Sequence, residues 1–93
     1  MHGEYKMPGG KLVVADLAVE GGRLAHVQIS GDFFLEPDSA LDAINRALTG
    51  RAVPAQTAEL THALDAALGA DVVMYGISSE AIAVAVLRAL EAQ

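Results

Sequence analysis

A chain of 93 residues is long enough for one domain with a modest core and too short for two independent ones, so residues 1–93 are read as a single domain. Twelve acidic residues against six basic ones give a formal charge of −6, and no run of Lys or Arg forms a stripe that would neutralise a phosphate backbone, which argues against autonomous nucleic-acid binding. The lack of cysteine excludes disulfides, thiolate catalysis, Cys-ligated zinc and iron–sulfur clusters for this chain alone, and with much of its 53% hydrophobic content in alanine the core should be thin and gain from docking on a partner.

The first six residues, Met1-His2-Gly3-Glu4-Tyr5-Lys6, lack the apolar segment of a signal peptide. The longest apolar run, Ala81 to Leu87, is far short of a membrane span, so a cytoplasmic protein with no membrane association is expected. Lys6-Met7-Pro8-Gly9-Gly10-Lys11 reads as an exposed, shapeable loop, since Pro fixes its own φ and the glycines open conformations closed to other residues. From Leu12 to Glu20, Val13, Ala15, Leu17 and Val19 alternate with Val14, Asp16, Ala18 and Glu20, the period-2 pattern of a strand with one buried face. Gly21-Gly22 then predicts a primed two-residue turn into a second strand, Arg23 to Ser30, whose Ala25, Val27 and Ile29 alternate with His26, Gln28 and Ser30.

After Gly31-Asp32, the apolar triplet Phe33-Phe34-Leu35 suits a third strand or a strand-like lead into a helix, and a three-stranded antiparallel meander is expected. Pro37 and the acids beside it mark a helix start, with Leu41, Ile44 and Leu48 on one face until Gly50. A connector containing Pro54 leads to a second helix carrying Leu60, Ala63, Leu64, Ala67 and Leu68 and ending at Gly69. Val72 to Gly76 is a short strand or a buried loop. Ser78 or Ser79 caps a last helix with Ile82, Val86, Leu87 and Leu90 as its core stripe. These pieces predict an α+β two-layer domain, a three-stranded antiparallel meander against about three helices with a possible short extra strand.

Chemistry-bearing clusters are sparse. His2, His26 and His62 lack metal-ligand spacing, so no metal site is expected. The serines at 30, 39, 78 and 79 form no nucleophile motif, and Asp16, Glu20, Asp32, Glu36, Asp38 and Asp42 read as solvation and capping rather than catalytic carboxylates. No catalytic residue is assigned. Pro8-Gly9-Gly10-Lys11 offers backbone N–H groups to a phosphate with Lys6 or Lys11 as counter-charge, yet it lacks the full phosphate-loop spacing and precedes a strand. The adjacent Phe33 and Phe34 must point to opposite faces of a strand, so one ring is buried and the other is either a docking surface or covered by the first helix.

The string Lys6-Met7-Pro8-Gly9-Gly10-Lys11-Leu12-Val13, then the Gly21-Gly22-Arg23 hairpin and Ile29-Ser30-Gly31-Asp32-Phe33-Phe34-Leu35, resembles the C-terminal accessory domain of lipoate–protein ligases. The likeness is specific over Lys6 to Gly50 and looser afterwards. In that family the large domain binds ATP and lipoate, forms lipoyl-AMP and passes the lipoyl group to a lysine of an acceptor domain. The resemblance implies a small subunit that binds no cofactor alone, pairs as a heterodimer with the catalytic ligase subunit, meets the lipoyl acceptor domain only indirectly, and assists a complex that uses ATP, Mg and lipoate. Within it, Lys6, Pro8, Gly9, Gly10 and Lys11 are candidates for a loop near the adenylate, and Phe33 or Phe34 for the partner interface. The rival reading is a protein-interaction adaptor with no role in lipoate metabolism. A small acyltransferase acting alone comes third.

Overall fold

Both glycines of the Gly21-Gly22 turn adopt positive φ, 60° and 74°, as a primed two-residue turn requires. The turn joins β2 (Leu12–Glu20) to β3 (Arg23–Gly31), the longest strands in a computed structural model that describes residues 1–69 and 72–91. On β2 the expected alternation holds from Val13 through Ala15 to Leu17, all buried, while Val19, expected on the same face, is only half-buried. On β3 it does not. The pairing runs Leu17↔Val27 and Ala18↔His26, then shifts to Val19↔Leu24, a bulge that inverts the alternation. Leu24 and Ile29 therefore both point into the core, while Ala25, expected on the buried face, is only half-buried. The bulge belongs to the strand pair, and the periodicity of one strand does not encode it.

The three-stranded antiparallel sheet is present with a different third member. β1 (His2–Lys6) pairs with β2 from His2↔Asp16 to Lys6↔Leu12, giving the order β1-β2-β3. Phe33-Phe34-Leu35 does not join this sheet, because both places it would need are taken. Asp32 Oδ1 accepts the Leu12 N–H at 3.0 Å where the next ladder bond would form. The outer edge of β3 is occupied by Asn45, whose Oδ1 accepts the Ile29 N–H, and by backbone bonds between Leu24 and residues Gly50 and Arg51. The chain turns away instead, and β4 (Phe34–Glu36) pairs antiparallel with β5 (Val73–Tyr75) as a separate two-stranded ribbon. The Val72 to Gly76 segment is thus a short strand.

Three helices collect on the sheet face that carries Val13, Ala15 and Leu17, and the fold is α+β. Ala40, Ile44 and Leu48 form the buried face of α1 (Ser39–Leu48), and Leu60, Ala63 and Leu64 that of α2 (Thr57–Ala67). Ala67, expected on the α2 core face, is exposed. In α3 (Ser79–Glu91), Ser78 Oγ accepts the Ala81 N–H at 3.1 Å, the cap expected for one of the two serines. Ile82 and Val86 are fully buried, whereas Leu87 and Leu90 lie half-buried at the margin of the core. Much of the buried face is alanine: Ala81, Ala85 and Ala89 recur every four residues. Small side chains there allow close approach, and Gly3 on β1 completes it. A Cβ built on Gly3 would lie 2.6 Å from the Ala85 carbonyl oxygen and 2.7 Å from Ala89 Cα. The thin core is closed by backbone meeting backbone. A buried Ser79 Oγ also donates to Asp65 Oδ1 at 2.6 Å, tying α3 to α2.

Candidate functional site

Pro8-Gly9-Gly10 forms the turn between β1 and β2, at the end of the sheet remote from Gly21-Gly22. The Gly10 N–H donates to Met7 O at 2.8 Å, and the Met7 N–H donates to Lys11 O at 3.3 Å. Lys11 then reaches outside the hairpin: its N–H donates to Gly76 O at 2.8 Å, and its aliphatic stem lies where a side chain on residue 76 would stand. Gly76 follows Tyr75, and Tyr75 pairs with Phe34. The glycine loop and the phenylalanine pair, separate candidates in the sequence, are neighbours through β5.

The ribbon sorts its side chains by face. Leu35 and Met74, opposite each other, turn inward against the core together with Phe33. Phe34, Tyr75 and Val73 turn outward and are 74%, 50% and 41% exposed. Among the described residues the other large apolar side chain left in solvent is Met1, so the exposed apolar surface is concentrated on one small ribbon. Helix α1 does not cover the Phe34 ring. Nothing in the local sequence marks Tyr75 and Val73 as surface residues. Their signal was the short run Val73-Met74-Tyr75, which looks buried until its ribbon partner is known.

The two lysines do not act from one side. Lys6 continues the outward face of β1 shared by His2 and Glu4, whereas Lys11 lies toward Gly76 and the ribbon. Neither ammonium group has an ion-pair partner among the described residues. Beside the loop, Tyr5, Met7, Pro8, Ser78, Glu80 and Ala81 line a hollow of about 180 Å³. That falls short of the roughly 300 Å³ at which small-molecule pockets begin. The expected cradle of backbone N–H groups is not available, because those of Met7, Gly10 and Lys11 donate to carbonyls of the protein and Pro8 has none, so the loop can contribute lysine charge to a neighbouring site but does not enclose a ligand itself.

Other polar residues at the sheet are engaged with each other. His2 sits between Glu4 Oε2 at 2.7 Å and Asp16 Oδ1 at 2.6 Å, and hydrogen bonds to Glu4 first and Asp16 second raise its pKa above the ordinary imidazole value. Arg88 donates from Nη1 to Glu4 O and stacks its guanidinium 4.9 Å from the centre of the Tyr5 ring. No three His, Asp or Glu among the described residues are arranged to hold a metal ion.

Neither a protein-family model nor a curated protein matches the sequence. Among solved structures, a chain from an archaeal lipoylation system of Thermoplasma acidophilum, described as a bipartite lipoate protein ligase and its E2 lipoyl domain, matches with a TM-score of 0.63. The match spans 97% of each chain at 23% identity. The two chains share a fold. The α+β arrangement described above therefore resembles that of a component of a lipoylation system.

Proposed function

We propose that this chain is the non-catalytic accessory subunit of a two-chain lipoate–protein ligase. It docks on the catalytic subunit as a heterodimer and is required for ATP-dependent activation of lipoate to lipoyl-AMP, before transfer to a lysine of the acceptor domain. The observation that carries this reading is the end-to-end likeness to a chain of a bipartite ligase system, with 97% of both chains covered. At about 180 Å³ the hollow at the loop is too small for ATP or lipoate, so a reaction site beside this loop would be enclosed by the partner. The exposed face of Phe34, Val73 and Tyr75 supplies an apolar contact for that partner, and docking there brings Lys11 to the joint. An ammonium group beside a developing pyrophosphate, together with loops ordered by the subunit, would lower the barrier to adenylation.

A second reading has one observation in its favour. Lys6 and Lys11 flank an exposed hairpin turn, where a lysine that accepts a lipoyl group would be reachable. Against it, the turn itself is Pro8-Gly9-Gly10 and the Lys11 stem is laid along Gly76. One experiment separates the readings: lipoyl-adenylate formation by the cognate large chain, with and without this protein, followed by mass spectrometry of both chains. Product from the mixture only, with this chain unmodified, supports the accessory role. Lipoyl transfer to Lys6 or Lys11 makes it the acceptor. Binding without stimulation or modification leaves a protein-interaction adaptor.

A further inference from the structure

In a chain with twelve acidic residues and six basic ones, three arginines open onto a single cleft. It lies at the Gly21-Gly22 end of the sheet, about 25 Å from the Lys11 loop by strand length. Arg23 begins β3, Arg46 stands in the last turn of α1 and Arg51 follows Gly50; with Pro54 and Leu60 they border a hollow of about 520 Å³. Its walls are fastened by backbone bonds, Leu24 N–H to Arg51 O at 2.9 Å and Gly50 N–H to Leu24 O at 2.7 Å. Two guanidinium groups are held as well. Arg23 Nη1 donates to Gly50 O at 2.9 Å and Arg51 Nε donates to Ala47 O at 3.0 Å.

Those two contacts serve the Ala47 carbonyl in the last turn of α1 and the Gly50 carbonyl just beyond the helix, but each uses only one of the donors that a guanidinium carries. The Arg46 guanidinium has no hydrogen bond, and no carboxylate lies within ion-pair distance of any of the three guanidinium groups, among the described residues. Glu59, the acid in the lining, is turned to the Gln56 N–H through Oε1 at 3.2 Å in the capping box of α2. The result is an unneutralised, partly pre-organised cluster of planar donors in a concave site. Guanidinium forks match the oxygens of phosphate, and a group with more than one negative charge is needed to balance three of them. A hollow of this size suits a small ligand better than an extended acidic peptide.

We propose that the Arg23, Arg46 and Arg51 cleft binds phosphate groups, either as free pyrophosphate or as the polyphosphate of a nucleotide. The test uses the full chain alone, so its outcome is independent of whether the chain joins a ligase. Inorganic phosphate, pyrophosphate and ATP are titrated at low salt and followed by calorimetry and amide NMR. The expected result is a shift confined to residues 23–24 and 46–51, pyrophosphate tighter than phosphate, and binding that weakens as salt is added. Tighter ATP than pyrophosphate assigns a nucleotide; the reverse assigns the free diphosphate. Arg46→Gln and Arg46→Glu, at a side chain with no hydrogen bond or ion pair among the described residues, should each weaken binding by about tenfold or more, with a small drop in melting temperature for the glutamine and a larger one for the glutamate because a cation is lost from the last turn of α1. Absence of cleft shifts at millimolar pyrophosphate, wild-type affinity in both variants, or a glutamate-rich peptide binding there in place of phosphates would overturn the proposal.

Discussion

Phe34→Ala removes the most exposed apolar side chain of the β4–β5 face and touches little of the core. A phenylalanine contributes about 150–250 Å² when fully buried. With 74% of the residue still in solvent, roughly 110–185 Å² remains for a partner to cover. At about 25 cal/mol per Å² complete coverage would contribute about 3–4.5 kcal/mol, which is a ceiling because contact rims stay wet. Half coverage gives about 1.5–2 kcal/mol, a ten- to thirtyfold loss of affinity for the catalytic chain. The cost to the fold should stay below about 1 kcal/mol, since the cross-strand contact with Tyr75 is what the variant loses. Calorimetric titration of the variant against the catalytic chain, beside a thermal melt, measures both quantities. Phe33→Ala is the contrast: it should lower stability, because that ring packs against the core. A dissociation constant for Phe34→Ala within twofold of wild type would refute the assignment of this face as the interface.

Four further outcomes follow from the geometry. Gly3→Ala forces a methyl into the backbone of α3 and should cost about 2–3 kcal/mol, lowering the melting temperature by roughly 8–24 °C; an unchanged melt would mean that β1 and α3 are not so close. Ser79→Ala should cost about 1 kcal/mol in urea unfolding, and a double-mutant cycle with Asp65→Ala should show coupling, whereas additive losses would remove that bond from the account. The raised pKa of His2 means that its charged form favours the fold, so the stabilisation is complete below about pH 6.5 and disappears as pH rises through the folded-state value. A wild-type advantage over His2→Gln should therefore close in alkaline melts, and a gap that is constant with pH would contradict this. Lys11→Ala should reduce lipoyl-adenylate formation by the mixture about tenfold, and Lys6→Ala much less, because only Lys11 lies on the ribbon side; equal effects would show that the face each occupies is irrelevant.

Local pattern made much of this chain legible. The Gly21-Gly22 hairpin, the buried face of β2, the stops at Gly50 and Gly69 and the Ser78 cap depend on contacts within a few residues, where periodicity and turn chemistry act directly. The loop at Lys6 to Lys11 and the aromatic pair at 33–34 were visible as candidates for the same reason. Long-range pairing decided the rest. His2 to Lys6 carries no strong alternation, and becomes a strand because β2 offers it a free edge and Gly3 lets α3 rest on it. The bulge that turns Leu24 inward comes from the β2–β3 register, and Val73 to Tyr75 turns its rings outward only because β4 takes the other edge.

What the sequence by itself determined was the β2–β3 hairpin, the three helices, the α+β class and the residues able to carry charge or apolar contact. Only the tertiary structure decided which of them meet: it placed Lys11 beside Gly76 and the Phe34–Tyr75 pair, sent Lys6 to the opposite face, and gathered three arginines from a strand, a helix and a connector around one hollow. The physical reason is that helix and turn preferences are local energies, whereas edge choice, register and charge clustering are settled by which surfaces exclude water together.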